Sequence, residues 1–131
     1  MSYILLGWIN FSLFALVTSH FWLRFLNSHL FHSKSKKFLG LIKTLRIIHK
    51  PIGIALVGLA FLHGVMALGA FRPHTGLLAA SALAVAAILG AAYFFSRKRP
   101  FFTLHRWAVL TIACLIAIHL IFPNALSFFA V

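Results

Sequence analysis

Histidine is the residue type whose number and spacing point most clearly to chemistry in this chain. Among its eight histidines, His49 and His63 are fourteen residues apart, and so are His105 and His119. Fourteen residues on an α-helix turn through about 1400°, only about 40° short of four full turns, and rise about 21 Å. Both histidines of each pair should therefore project from one face of a helix at two heights. This spacing suits two metal sites stacked across a membrane, each held between two helices.

The charged residues exclude several kinds of chemistry. The chain has no Asp or Glu against 12 Lys and Arg, which gives a formal net charge of +12. Without acids, the chain alone cannot form a catalytic pair of carboxylates, a carboxylate site for Mg²⁺ or Ca²⁺, or a proton relay through buried Asp or Glu. Cys114 is the only cysteine, so a two-cysteine zinc site and an intrachain disulfide are also excluded.

The composition indicates that these histidines are carried by membrane helices. Apolar residues make up 63% of the 131 residues, and the mean hydropathy is +1.03, too high for a soluble domain of this size. We expect an all-α integral membrane protein, a four-helix bundle with one transmembrane domain over residues 1–131. No Lys or Arg precedes the first span, so we expect a retained helix rather than a signal peptide. The predicted spans are about residues 3–23, 47–70, 76–95 and 102–122, with residues 24–46 as a basic connection, predicted to be an interfacial helix.

The basic residues lie in short blocks between the spans and predict the orientation. Two connections are rich in Lys and Arg, whereas the middle one contains only Arg72. Because basic loops stay in the cytoplasm, both termini should lie outside, in a bacterial inner (plasma) membrane. The same blocks indicate contact with anionic lipid, and no polar face remains for binding nucleic acid. The basic residues of the two rich connections are Arg24, Lys34, Lys36, Lys37, Lys43, Arg46 and Lys50 in the first, and Arg97, Lys98 and Arg99 in the second.

This orientation pairs the histidines of the second and fourth spans, which should run parallel from inside to outside. His49 is then level with His105 near the cytoplasmic face, and His63 with His119 near the outer face. Ionisable residues at membrane depth are usually functional, so we interpret both pairs as metal or haem ligands. The alternative is that these side chains only form hydrogen bonds between helices. His20, at the inner level of the first span, is a competing candidate for the inner site.

Each level offers two histidines with no cysteine or acid beside them, which favours haem over zinc. Zinc needs four ligands in tetrahedral geometry, whereas a six-coordinate haem b takes two axial imidazoles, and helix bundles hold such cofactors in their cores. The two propionates of each haem would need cationic partners. The alternative for those partners is simple placement of basic side chains at the membrane interface. The candidate propionate partners are Arg46, Lys50 and Arg106 at the inner level, and Arg72 and His74 at the outer level.

Paired H-x₁₃-H motifs on two parallel helices resemble the dihaem bundle of membrane b-type cytochromes. The segment LHRW at residues 104–107, followed by His119, is similar to the ferric reductase-like transmembrane family, which includes NADPH oxidases. The resemblance implies two haem b groups. It implies His49 and His105 as axial ligands of an inner haem, and His63 and His119 as ligands of an outer haem.

Glycines in the second and third spans offer clearance at the histidine levels. Gly76 and Gly90 are also fourteen residues apart, which places a gap at each level. Their spacing is similar to that of the glycine pairs that admit haem in cytochrome b of quinol-oxidising complexes. Gly53 and Gly64 thin the surface of the second span, where a flat macrocycle needs the same clearance as close helix packing does.

The ligand set predicts the function. Two axial histidines leave no open position on the iron, so outer-sphere electron transfer is expected rather than oxygen activation. We expect the chain to relay electrons across the membrane between a cytoplasmic-side and an outer-side partner, either redox proteins or quinone, as the membrane subunit of a larger oxidoreductase. One alternative is a self-sufficient quinone, superoxide or metal reductase that uses an exposed haem edge. The other is a haem-free metal transporter or assembly subunit. The oligomeric state stays open.

Overall fold

The computed structural model of the chain is all-helical, as the sequence predicted. It describes residues 2–69 and 74–123. The chain divides into two compact units, Met1–Leu59 and Ala60–Val131. In chain order the elements are α1 (Tyr3–Leu26), a π-helical segment (Asn27–Phe31), α2 (Lys36–Leu68), α3 (Thr75–Ser96) and α4 (Arg99–Ile121).

All four helices are long and apolar enough to cross a membrane, which confirms the prediction of four apolar helices. Their surfaces differ from those of helices in water-soluble proteins, because many large apolar side chains are exposed. Phe95 is 83% exposed and Ile54 is 75% exposed. Moving such a side chain from water into lipid is favourable by about 2 kcal/mol. The four helices are therefore consistent with an integral membrane protein.

The predicted basic connection, residues 24–46, is divided between two elements. α1 runs on into the π-helical segment, and α2 begins at Lys36. The Asn27 side chain closes the segment, because its Oδ1 accepts from the N–H of Ser33 at 2.8 Å and its Nδ2 donates to the Ser33 carbonyl at 3.2 Å. His32 then adopts a left-handed conformation with a φ of 48°, which turns the chain before α2.

α2 is a single helix of 33 residues. At 1.5 Å per residue it is about 50 Å long, whereas the hydrocarbon core of a bilayer is about 30 Å thick. The helix must therefore tilt or extend beyond the hydrocarbon. Its Lys and Arg residues all lie between Lys36 and Lys50, and the position of this N-terminal part at the membrane interface stays a prediction.

Within the first unit, α1 packs antiparallel against the N-terminal part of α2. The carbonyl of Val17 accepts a hydrogen bond from His49 at 2.8 Å, and Val17 Cγ2 is 3.8 Å from the position of a Cβ at Gly53. Further along, Asn10 Nδ2 donates to the carbonyl of Leu59 at 3.2 Å. Since the α1 residue number falls as the α2 number rises, the two helices run in opposite directions. His49 lies on the face of α2 that meets α1.

Within the second unit, α3 and α4 form an antiparallel hairpin with a two-residue turn. Arg97 has a left-handed φ of 57°, and its N–H donates to the carbonyl of Tyr93 at 2.8 Å. Pro100 lies in the first turn of α4, where its missing N–H removes no helical hydrogen bond. Ala86 of α3 and Ile112 of α4 are buried. This short turn determines which residues of α3 lie opposite the histidines of α4.

Candidate functional site

Three histidines of the second unit lie close together, and we call them the His119 cluster: His63, His74 and His119. The ring centres of His63 and His119 are 6.4 Å apart, with the ring planes at 78°. The ring centre of His74 is 5.3 Å from that of His119. The structure thus brings together the two histidines expected at the outer level.

A buried threonine orients His119. Thr75 is 4% exposed, and its Oγ1 is 3.0 Å from Nδ1 of His119 and 2.8 Å from the carbonyl oxygen of Pro123. The hydroxyl has one proton and the carbonyl can only accept, so Oγ1 donates to Pro123 and accepts from Nδ1–H of His119. In the neutral ring the lone pair is then on Nε2. This is the tautomer that binds a metal through Nε2 while Nδ1–H holds the ring in place.

The separation of His63 and His119 suits two imidazoles that bind one metal from opposite sides. A metal–nitrogen bond of about 2 Å, with about 1 Å more from the nitrogen to the ring centre, places the centres of two such rings about 6 Å apart. The observed distance of 6.4 Å agrees with this value. The ring separation is therefore compatible with two axial ligands of one iron, and haem binding by this pair stays a prediction.

His74 has a different hydrogen-bonding role. It is the N-cap of α3, and its Nδ1 accepts from the N–H of Gly76 at 3.2 Å. In the neutral ring the proton is then on Nε2, which makes that nitrogen a donor rather than a metal ligand. A donor at this position suits the role predicted for His74, which is to bind a haem propionate.

Gly76 and Gly90 of α3 accommodate the two histidine rings of α4. A Cβ at Gly76 would lie 3.0 Å from Cε1 of His119, and a Cβ at Gly90 would lie 3.3 Å from Cε1 of His105. Gly76 lies opposite His119 and Gly90 lies opposite His105, so the residue number on α4 falls as the number on α3 rises by the same amount. Both contacts therefore belong to one antiparallel register. At both levels, then, the clearance left by glycine lies directly against an imidazole ring.

His105 is oriented by the backbone of α3. Its Nδ1 donates to the carbonyl of Ala86 at 2.7 Å. Because a carbonyl can only accept, the ring again has its lone pair on Nε2. Ala86 precedes Gly90 by one helical turn, and the missing side chain at Gly90 lets the ring approach close enough to reach this carbonyl.

In the first unit, His49 has the same tautomer. Its Nδ1 donates to the carbonyl of Val17 at 2.8 Å. The ring centre of His20 is 4.9 Å from that of His49, and Nδ1 of His20 is 3.2 Å from the same carbonyl oxygen. The structure therefore places His20 beside the predicted inner ligand. His105 belongs to the other unit, and its pairing with His49 stays a prediction.

The basic side chains predicted to bind propionates lie on the surface. Arg46, Lys50 and Arg106 are exposed. The guanidinium of Arg106 is 5.9 Å from the centre of the Phe102 ring, which orients it along α4. Arg72 lies outside the described residues. Propionate binding by these four residues stays a prediction.

A cavity of about 230 Å³ lies beside the His119 cluster. Gly64 and Gly76 line it together with the three histidines. A Cβ at Gly64 would meet no atom of the described residues within 4 Å, so space at this position is open, whereas the clearance at Gly53 is used by Val17. Most cofactor sites measure about 300–1,000 Å³, so a bound macrocycle would have to widen this cavity.

The number of ligands at each level bears on the kind of metal centre. Among the described residues, no group of three or more histidines or cysteines is placed to hold a metal ion. A zinc ion held by protein needs three or four such ligands, whereas haem iron needs only the two axial ones. The choice of haem over zinc, made from the sequence, stays a prediction.

Comparison of the chain with protein-family models, curated proteins and solved structures finds no match. The likeness to ferric reductase-like proteins thus depends on the histidine motifs alone. Those motifs supply the candidate ligands, and the hydrogen bonds described above orient His49, His105 and His119.

Three acceptor groups that orient predicted ligands were not found from the sequence. They are the Thr75 hydroxyl and the backbone carbonyls of Ala86 and Val17. The adjacent residue Gly76, expected at the level of His119, was a weak signal for Thr75. No side-chain pattern can reveal a backbone carbonyl.

Proposed function

We propose that this chain is a dihaem b-type cytochrome that carries electrons across a membrane. The observation that carries the proposal is the 6.4 Å separation of the His63 and His119 rings, together with the tautomer that places the lone pair of His119 on Nε2. When bound, haem b supplies one-electron chemistry, because its iron alternates between the ferric and ferrous states.

The ligand residues have defined roles in this proposal. His63 and His119 would hold one haem, and His49 and His105 would hold the other. Two histidines on each iron would leave no coordination site for dioxygen or another small substrate. This favours electron transfer between partners over chemistry on a bound substrate.

The composition of the chain supports electron transfer without proton transfer. The chain has no Asp or Glu, so its interior offers no carboxylate relay for protons. His74 would donate from Nε2 to a propionate of a bound haem, and the exposed residues Arg46, Lys50 and Arg106 would supply cations for other propionates. The basic connections contact anionic lipid on the cytoplasmic side, with both termini outside. Redox proteins or quinone then act as donor and acceptor on the two sides.

Haem content tests the proposal directly. Protein purified from haem-replete cells should contain two haem b groups per chain, measured from the reduced-minus-oxidised visible spectrum and the protein concentration. His63→Ala and His119→Ala should each remove one haem, and it should be the same one. His29→Ala is the matched control, because His29 is exposed and its Nδ1 bonds to the Phe25 carbonyl of its own helix at 2.9 Å.

Three results would contradict parts of the proposal. Protein without haem b would reject it and favour a metal transporter or assembly subunit. Loss of different haem groups in His63→Ala and His119→Ala would reject the pairing. Steady turnover of the isolated chain with quinol or superoxide would instead identify a self-sufficient reductase.

A further inference from the structure

We infer that Thr75 is a positioning residue whose hydroxyl holds His119 in the tautomer and orientation that present Nε2 to a metal. The inference rests on the proposed function, because it gives Thr75 a role at one of the two proposed haem sites. It adds a residue that is neither a ligand nor a propionate partner.

The two neighbours of the Thr75 hydroxyl determine which hydrogen bond it donates and which it accepts. Pro123 lies just beyond the end of α4, where carbonyl groups have no helical donor. Its carbonyl takes the only hydroxyl proton at 2.8 Å, so the oxygen must accept from His119 at 3.0 Å. Since Thr75 is buried, water competes weakly for either bond. One side chain thus connects the start of α3, the end of α4 and the ring of His119.

Thr75 differs from the acceptors of the other oriented histidines. His105 donates to the Ala86 carbonyl and His49 donates to the Val17 carbonyl. Substitution cannot remove a backbone carbonyl, but it can remove a hydroxyl. The orientation of His119 can therefore be tested by one conservative change. Loss of such an outer partner typically weakens metal binding about 10- to 100-fold.

The first test compares Thr75→Val, which keeps the shape and removes the hydroxyl, with Thr75→Ser, which keeps the hydroxyl. We expect the haem bound at the His119 cluster to dissociate about 10- to 100-fold faster in Thr75→Val, and within about twofold of the natural rate in Thr75→Ser. Its midpoint potential should rise in Thr75→Val, because an imidazole that donates to an acceptor stabilises the ferric iron. The control is Thr111→Val, since the Thr111 hydroxyl bonds to the Trp107 carbonyl of its own helix at 3.1 Å. Unchanged haem loss in Thr75→Val would overturn the inference.

The second test needs no haem. Nitrogen-15 NMR of haem-free protein, with His119 assigned by its substitution, should show the Nδ1–H tautomer in the natural chain. Thr75→Val should add the Nε2–H tautomer, and Thr75→Ser should not. An Nε2–H ring in the natural chain would overturn the role of Thr75 even if haem binds. The expected tautomer in a protein that binds no haem would support the Thr75 contact while contradicting the proposed function.

Discussion

Gly76→Ala tests whether the ring of His119 must lie directly against α3. The added methyl carbon would be 3.0 Å from Cε1 and 3.4 Å from Nδ1 of His119. Since nonbonded carbon atoms are most stable about 3.5–4.0 Å apart, the ring must move by about half an ångström or more. Such a movement would change the distances from His119 to the Thr75 hydroxyl and to His63.

The expected effect on haem binding is larger than the effect on folding. Overpacking costs about 1–3 kcal/mol, which corresponds to about 5- to 150-fold in affinity. Alanine also favours the helix by about 1 kcal/mol relative to glycine, which offsets part of the cost in folding but not in haem binding. Gly76→Ala should therefore bind haem at the His119 cluster about tenfold or more weakly, and should lower the free energy of unfolding by at most about 2 kcal/mol. Gly90→Ala should act less strongly at His105, because its closest contact is 3.3 Å.

The assay is haem titration of the haem-free variants in lipid nanodiscs, followed by visible absorbance. Gly58→Ala is the matched control, because its Cβ would meet no atom of the described residues within 4 Å. Gly64→Ala tests whether the cavity holds the haem. Gly64 lines the cavity, yet a Cβ there would meet no atom of the described residues within 4 Å. Weaker binding in Gly64→Ala would locate the macrocycle in the cavity. Natural affinity in Gly76→Ala, or a larger loss in Gly90→Ala, would refute the reasoning.

Two further predictions concern the first unit and the packing of α4. His20→Ala should leave two haem groups per chain, whereas His49→Ala should remove one; a haem-to-chain ratio of one in His20→Ala would make His20 a ligand. Ile112→Ala should lower the free energy of unfolding by about 2–4 kcal/mol, because Ile112 is 1% exposed, whereas Ile121→Ala at a 67% exposed position should change it little. Denaturant unfolding monitored by circular dichroism measures the stability of Ile112→Ala and of Ile121→Ala. Equal stability of these two variants would contradict the argument from burial.

The helices and the faces that carry the histidines could be predicted because both depend on local spacing. Long apolar runs determine where helices form in a membrane, and fourteen residues return a side chain to the same face. The hairpin turn at Arg97 then makes Gly76 level with His119 and Gly90 level with His105. The sequence predicted these levels from the matched spacing of the glycines and histidines.

Other features depend on contacts between residues far apart in the chain. Thr75 meets His119 and Pro123 only because the register of the hairpin and the end of α4 bring three separate residues together. The Asn27 side chain, at the start of the π-helical segment, likewise bonds to Ser33 beyond the end of that segment. A hydrophobicity pattern does not reveal such bonds. Replacing one polar residue by another can remove a hydrogen bond while the pattern stays the same.

The residues between the two histidine levels bear on what can pass from one level to the other. Ile112 lies seven residues from both His105 and His119, and it is buried. On α2, Leu56 lies seven residues from both His49 and His63, and it is buried too. On each of these two helices, a buried apolar side chain thus lies midway between the two histidines of that helix. A proton relay would need ionisable groups or ordered water at that height, whereas electron transfer between two fixed cofactors needs neither. If the proposed haem groups are bound, these two midpoint residues offer no ionisable side chain that could relay protons between them.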